Sequence, residues 1–178
     1  FGNEVSVSWN SAYSQWGFTQ VNESANQLLK NLLQQFYLNS SARSVLELFC
    51  GRGNLLSFLQ TPHNLVGFDL QGSLPSPHIF HQANLFEHQG LQLVLEECHK
   101  YSFDDLVLDP PRSGFNSLVD VVQACSPERL LYVSCWPSTM VRDLNLVHKF
   151  KPWKQAHVFL IDMFPGTKHY ETFIALNW

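Results

Sequence analysis

From residue 44 onward, short apolar runs alternate with segments whose apolar residues recur every three or four positions, the pattern of strands separated by helices. Ser44 to Phe49, Leu65 to Leu70, Ile79 to Ala83, Leu106 to Leu108 and Leu130 to Ser134 read as five strands. Helical spacing follows in a short segment through Phe58 and Leu59, in Leu91, Val94, Leu95 and Cys98, and in Leu118, Val121, Val122 and Cys125. Met140, Val141, Leu144 and Val147 extend it beyond the fifth strand. Asn116 and Ser138 are the candidate caps of the last two helices. Upstream, Ala25, Leu28, Leu29, Leu32, Leu33 and Phe36 predict a helix capped by Asn22, with Glu23 in its first turn. Val158 to Ile161 and Phe173 to Leu176 predict two closing strands joined by a Pro-Gly loop. Near the start, Val5 to Trp9 alternates like an edge strand.

Strands alternating with helices predict a parallel sheet covered on both faces. Two strands on a short connection must pair antiparallel. The expected fold is therefore α/β: a doubly wound, mostly parallel seven-stranded sheet with an antiparallel C-terminal hairpin. Residues 23–178 are expected to form one domain, and residues 1–22 an extension carrying the edge strand.

Composition narrows the classes. The 178 residues are 45% hydrophobic and 15% charged, with a net charge of −4 and no Lys/Arg run. Affinity for nucleic acid from phosphate neutralisation alone is thereby excluded for this segment. No apolar run is long enough to span a bilayer and no signal peptide opens the chain, so the expected location is the cytoplasm. Cys50, Cys98, Cys125 and Cys135 form no Cys-x-x-Cys pair, and the eight histidines show no metal-ligand spacing. Reduced thiols and no metal site are expected. Phe1 in place of methionine leaves open that the chain is a piece of a longer protein.

Candidate chemistry lies at strand ends, where ligands bind in such folds. Gly51 and Gly53, in the first strand-to-helix turn, let the backbone turn tightly and approach a ligand. Asp69 ends the second strand, where a carboxylate can accept both ribose hydroxyls of a nucleoside. Position 56 is leucine, so the third glycine of the dinucleotide fingerprint is missing, which favours S-adenosylmethionine over NAD. Asp109, before two prolines, must stop the fourth strand and display its carboxylate. Cys135 ends the fifth strand close to a helix start, where thiolates are stabilised. If the last strand is antiparallel, Glu171 at its beginning joins Asp109 and Cys135 at one edge. Taken alone, the glycines also suit an ordinary turn and Cys135 a small buried hydrophobe.

Five motifs decide between these readings. They are Phe18-Thr19-Gln20-Val21-Asn22, Glu47 to Asn54, Asp109-Pro110-Pro111-Arg112-Ser113-Gly114, Tyr132 to Pro137 with Thr139, Arg142 and Asp143, and Met163 to Glu171. In this order they resemble the RNA uracil-C5 methyltransferases that act on ribosomal and transfer RNA. The resemblance implies that Cys135 is the nucleophile and Glu171 the base that removes the C5 proton. It implies an S-adenosylmethionine site lined by Gln20, Phe49, Asn54, Asp69, Asn84 and Asp109, with Phe18 beside the target base and Arg112 on the substrate side. The Pro137-Ser138-Thr139 and Arg142-Asp143 pattern leans towards the ribosomal-RNA branch. Trp136 stands where such enzymes usually carry Asn. The RNA-binding region and iron–sulfur cysteines of some relatives are not among these residues, so an RNA-binding module outside this chain is expected. An S-adenosylmethionine-dependent N-methyltransferase and a non-catalytic binding domain are the alternatives.

Overall fold

The computed structural model describes residues 22–38, 44–56, 64–163, 165–167 and 170–178. The expected edge strand at Val5 to Trp9, the short helix through Phe58 and Leu59, and the site residues Phe18 and Gln20 lie outside the described residues.

Helix α1 (Glu23–Leu38) precedes strand β1 (Ser44–Leu48). The chain continues through β2 (Asn64–Asp69), β3 (Ile79–Gln82), α2 (His88–Lys100), β4 (Asp105–Leu108), α3 (Leu118–Cys125), β5 (Arg129–Ser134), α4 (Pro137–Phe150), β6 (Gln155–Ile161) and β7 (Glu171–Asn177). The seven strands form one sheet in the order β3-β2-β1-β4-β5-β7-β6. Pairs among β1 to β5 are parallel, whereas β7 is antiparallel to both β5 and β6. This is the expected doubly wound sheet with an antiparallel end. The sheet order reverses between β1 and β4, the switch point where such folds open a crevice.

Alternation along the strands builds two cores. Leu46, Leu48, Leu106, Leu108, Leu130 and Tyr132 face α2, α3 and α4 through Val94, Val121, Val122, Met140, Leu144 and Val147. Val45, Val107, Leu131, Val133 and Phe173 face α1 through Ala25, Leu29, Leu33 and Tyr37. Asn22 caps α1 as expected, its Oδ1 accepting the Ala25 N–H at 3.1 Å. Of the predicted α1 stripe, Leu28 is 51% exposed, because it lies at the edge of the apolar arc, beyond what one sheet face covers.

Three local expectations are corrected. Asn116 does not cap α3: the helix starts after Ser117, which makes no side-chain cap bond. Nor does Ser138 cap α4; Pro137 occupies the first turn, where its missing N–H costs nothing, and Trp136 takes the cap position. Cys98 and Cys125 are joined in a disulfide rather than standing as reduced thiols. They lie near the C-terminal ends of α2 and α3, which pack together, so a pair 27 residues apart in sequence comes within bonding reach. Cys50 and Cys135 are free. No helix of the described residues is long and apolar enough to cross a membrane.

The disulfide closes a loop that contains β4 and the Asp109-to-Phe115 segment. Constraining a loop of this length in the unfolded chain is worth about 3–4 kcal/mol in the chain-entropy account. Urea unfolding with and without reductant should show a loss of that order on reduction, and none in a Cys98→Ser/Cys125→Ser double variant.

Candidate active site

Strand register brings the carboxyl ends together. Leu48 of β1 pairs with both Phe68 and Leu108, so the next residues, Phe49, Asp69 and Asp109, emerge side by side at the switch point. On the far side Ser134 pairs with Thr172, which brings Cys135 and Glu171 to the same edge on neighbouring antiparallel strands.

The turn after β1 is closed by a carboxylate from the end of β2. Asp69 Oδ2 accepts the Gly51 N–H at 2.8 Å and Oδ1 accepts that of Gln71 at 3.2 Å. Gly51 has φ +54°, a conformation that favours glycine, and nothing lies within 4 Å of where its Cβ would stand. Phe49 adopts φ +59°, unusual for a bulky residue. Its ring meets Phe115 at 5.3 Å and Phe86 at 5.6 Å, forming an aromatic wall beside the crevice. Asn84 turns the chain into α2 by accepting the Phe86 N–H and donating to Glu87. The Asn54 amide forms a reciprocal pair with Asn26 of α1, both bonds 3.0 Å, tying the glycine loop to that helix. Gly53 is buried and donates its N–H to the Cys50 carbonyl at 2.8 Å.

Carboxylates dominate the electrostatics. Glu47, 1% exposed, has neither carboxylate oxygen hydrogen-bonded. Burial, then Asp109 and Asp69, pushes its pKa well up. The same holds for Asp109, raised by burial, Glu171 and Asp69. Burial alone lifts Glu171, 3% exposed, to about 7. The Cys135 thiol is half-buried; burial and Glu171 raise its pKa, while the Arg112 guanidinium opposes them. Arg112 also lies over the Trp136 ring, 5.6 Å from its centroid.

The two loops that carry Arg112 and Cys135 are stapled together. Asp143, 1% exposed, accepts the Phe115 N–H at 2.7 Å, the Tyr132 hydroxyl at 2.8 Å and the Arg142 guanidinium. Arg142 also donates to the Ser113 carbonyl at 2.8 Å. The Thr139 hydroxyl stands 3.0 Å from the carbonyls of both Arg112 and Trp136 and donates between them. Gly114, at φ +73°, leaves no room for a Cβ against Asp143 and Arg142.

The family model described as tRNA (Uracil-5-)-methyltransferase matches residues 81–178. The chain belongs to this family. Among relatives, it is 34% identical over 166 residues to the 23S rRNA (uracil(1939)-C(5))-methyltransferase of Histophilus somni, covering 87% of this chain and 37% of that protein. The enzyme of the same name from Legionella pneumophila (strain Lens) is 34% identical over 173 residues, with 89% and 38% covered. The chain therefore spans well under half the length of these relatives. A solved structure of Pyrococcus abyssi tRNA (uracil-54, C5)-methyltransferase in complex with S-adenosyl-L-homocysteine shares the fold, with a TM-score of 0.61. That pair is 24% identical, over 90% of this chain and 40% of the other.

Of the residues this family resemblance singles out, Cys135, Glu171, Asp109, Phe49, Asp69 and Arg112 converge on one edge. Asn54 and Asn84 sit in the adjoining turns. Sequence reading passed over Glu47, Phe86 and Phe115. Glu47 stood in a quoted motif, and a charged residue inside an apolar strand run was the available signal. The two phenylalanines carried none, since ring contacts between distant turns are set by packing.

Glu171 also couples the site to stability. Its pKa of about 7 exceeds the ordinary 4.5, so between these values the folded chain binds more protons than the unfolded one. Stability on this account is highest below about pH 4.5 and falls as pH rises through 7, by about 3 kcal/mol in all. Glu171→Gln removes that slope. Urea midpoints should therefore show the variant near wild type at pH 5 and more stable than wild type at pH 8.

Proposed function

We propose that this chain is the catalytic domain of an S-adenosylmethionine-dependent RNA uracil-C5 methyltransferase, with 23S ribosomal RNA favoured over transfer RNA. The observation that carries the reading is the meeting of a thiol and a buried carboxylate across two antiparallel strand ends, beside an acidic crevice at the switch point.

The residues fit the cofactor. A buried carboxylate with no hydrogen-bond donor is costly unless something cationic meets it. Glu47, Asp69 and Asp109 suit a ligand bearing an ammonium and a sulfonium, because a nearby cation favours the ionised form of a buried carboxyl. Phe49 and Phe86, backed by the buried Phe115, offer a surface for a planar base, and Asp69 retains lone pairs for ribose hydroxyls. When bound, S-adenosylmethionine supplies an electrophilic methyl group.

Uracil C5 is too weak a nucleophile to take that methyl unaided. Addition of the Cys135 thiolate to C6 forms a carbon–sulfur bond and moves an electron pair through C5 towards the carbonyl at C4, which makes C5 nucleophilic. After methylation Glu171 takes the C5 proton, the electrons restore the C5–C6 double bond, and the thiolate leaves. A carboxyl with a pKa of about 7 suits this role near neutral pH. With a net charge of −4, the domain depends for RNA affinity on a module outside this chain, and the target base must leave its stack to reach the thiol. The cytoplasm is the compartment consistent with such a substrate.

RNA containing 5-fluorouridine tests the proposal, because fluorine cannot leave as a cation and the adduct persists. In the presence of S-adenosylmethionine a denaturant-resistant adduct should form and disappear in Cys135→Ala. On ordinary RNA, Glu171→Gln should slow turnover about a hundredfold or more and accumulate the covalent species. Cofactor binding without any adduct, using the longer protein where the isolated domain holds RNA too weakly, would favour an N-methyltransferase or a binding domain.

A further inference from the structure

Trp136, next in the chain to Cys135 and 41% exposed, is the residue for which the resemblance has no role. Its placement is fixed from three sides. Its N–H donates to Ser134 Oγ at 3.0 Å, Pro137 follows at the first turn of α4, and its carbonyl shares the Thr139 hydroxyl with the carbonyl of Arg112. The same hydroxyl thus locks the backbones of Arg112 and Trp136 at a set separation. With both backbones held, the Arg112 guanidinium lies across the indole, and no carboxylate among the described residues pairs with it. An exposed arginine without such a platform samples many rotamers, and few of them would point at Cys135.

We propose that Trp136 is a positioning residue: its ring holds the Arg112 guanidinium against Cys135, so that the thiolate forms beside a fixed cation. The need for one is plain from the surroundings. Cys135 faces Glu171 from β7 and Asp109 from the loop after β4, both carboxyl groups, and Arg112 is the cation that opposes them. The catalytic meaning of the arrangement rests on the proposed uridine methyltransferase reading, but the arrangement itself is measurable without RNA or cofactor.

Alkylation by iodoacetamide reports it. The thiolate sulfur displaces iodide and forms a carbon–sulfur bond, so the rate follows thiolate formation as pH rises. The other thiols are quiet: Cys50 is buried with its pKa pushed up, and Cys98 and Cys125 are disulfide-bonded. Arg112→Ala should move the midpoint of the pH–rate profile upward. Trp136→Ala should move it in the same direction and slow alkylation at neutral pH about two- to fivefold, the worth of an exposed cation–π contact. Trp136→Phe, which keeps a ring, should restore most of the rate, whereas Trp136→Leu, which keeps apolar bulk, should not. Melting temperatures identify any variant that fails to fold, and the Phe/Leu comparison then decides. A midpoint unchanged in Arg112→Ala, or Phe and Leu variants that behave alike, overturns the inference. Failure of the uridine reading would leave these midpoints as stated, whereas failure of this inference would leave the fluorouridine adduct intact.

Discussion

A single buried carboxylate organises the working edge of this domain. Asp143 is removed from water and would be costly there without compensation, yet it accepts bonds from a backbone N–H, a tyrosine hydroxyl and a guanidinium. Those three donors come from different places: the segment after β4, the interior of β5, and α4 itself. The Asp-Pro-Pro-Arg segment and the Ser-Cys-Trp-Pro segment therefore cannot shift independently. Orphaning the Phe115 N–H and the Tyr132 hydroxyl would cost roughly 1–3 kcal/mol each, which makes the staple cooperative. The position of the segment after β4 against the end of β5 depends on it.

Around that frame the charge balance is deliberately uneven. Glu47, Asp69, Asp109 and Glu171 gather at this edge; burial pushes up the pKa of Glu47, Asp109 and Glu171, Asp109 and Asp69 add to it at Glu47, and Glu171 and Asp69 add to it at Asp109. A cation bound among such carboxyls favours their ionised forms and is held by them in turn. The same crowding works against thiolate formation at Cys135, which is why the Arg112 guanidinium matters to it. Catalysis of the proposed kind needs a thiol that ionises and a carboxyl that takes a proton, and these demands pull the local field in opposite directions. Placing Arg112 on the thiol side and burying Glu171 separates them.

Much of the fold was legible along the chain, for a simple reason. Periodic burial is a local property of an element, so the strands, the helices and the parallel-then-antiparallel pattern followed from spacing alone. Helix starts were less legible. Asn22 caps α1 because its side chain reaches forward to accept the Ala25 N–H, whereas Asn116 and Ser138 have the right chemistry but the wrong backbone position. The disulfide escaped for a different reason: Cys98 and Cys125 meet only because α2 and α3 pack together, and nothing in their spacing encodes that contact.

For the site, the sequence by itself determined which groups are available and at which strand ends they stand. Glycines, prolines and the order of the motifs constrain the backbone locally, so Gly51, Asp109, Cys135 and Glu171 could be placed at one edge before any contact was known. Tertiary structure decided everything that depends on distance between elements. It left Glu47 without a donor, turned Asn54 towards α1, built the aromatic wall from Phe49, Phe86 and Phe115, and laid Arg112 across Trp136. Burial and through-space charge set how readily Cys135 and Glu171 exchange protons, and neither exists until the sheet has closed and the two loops have been drawn together.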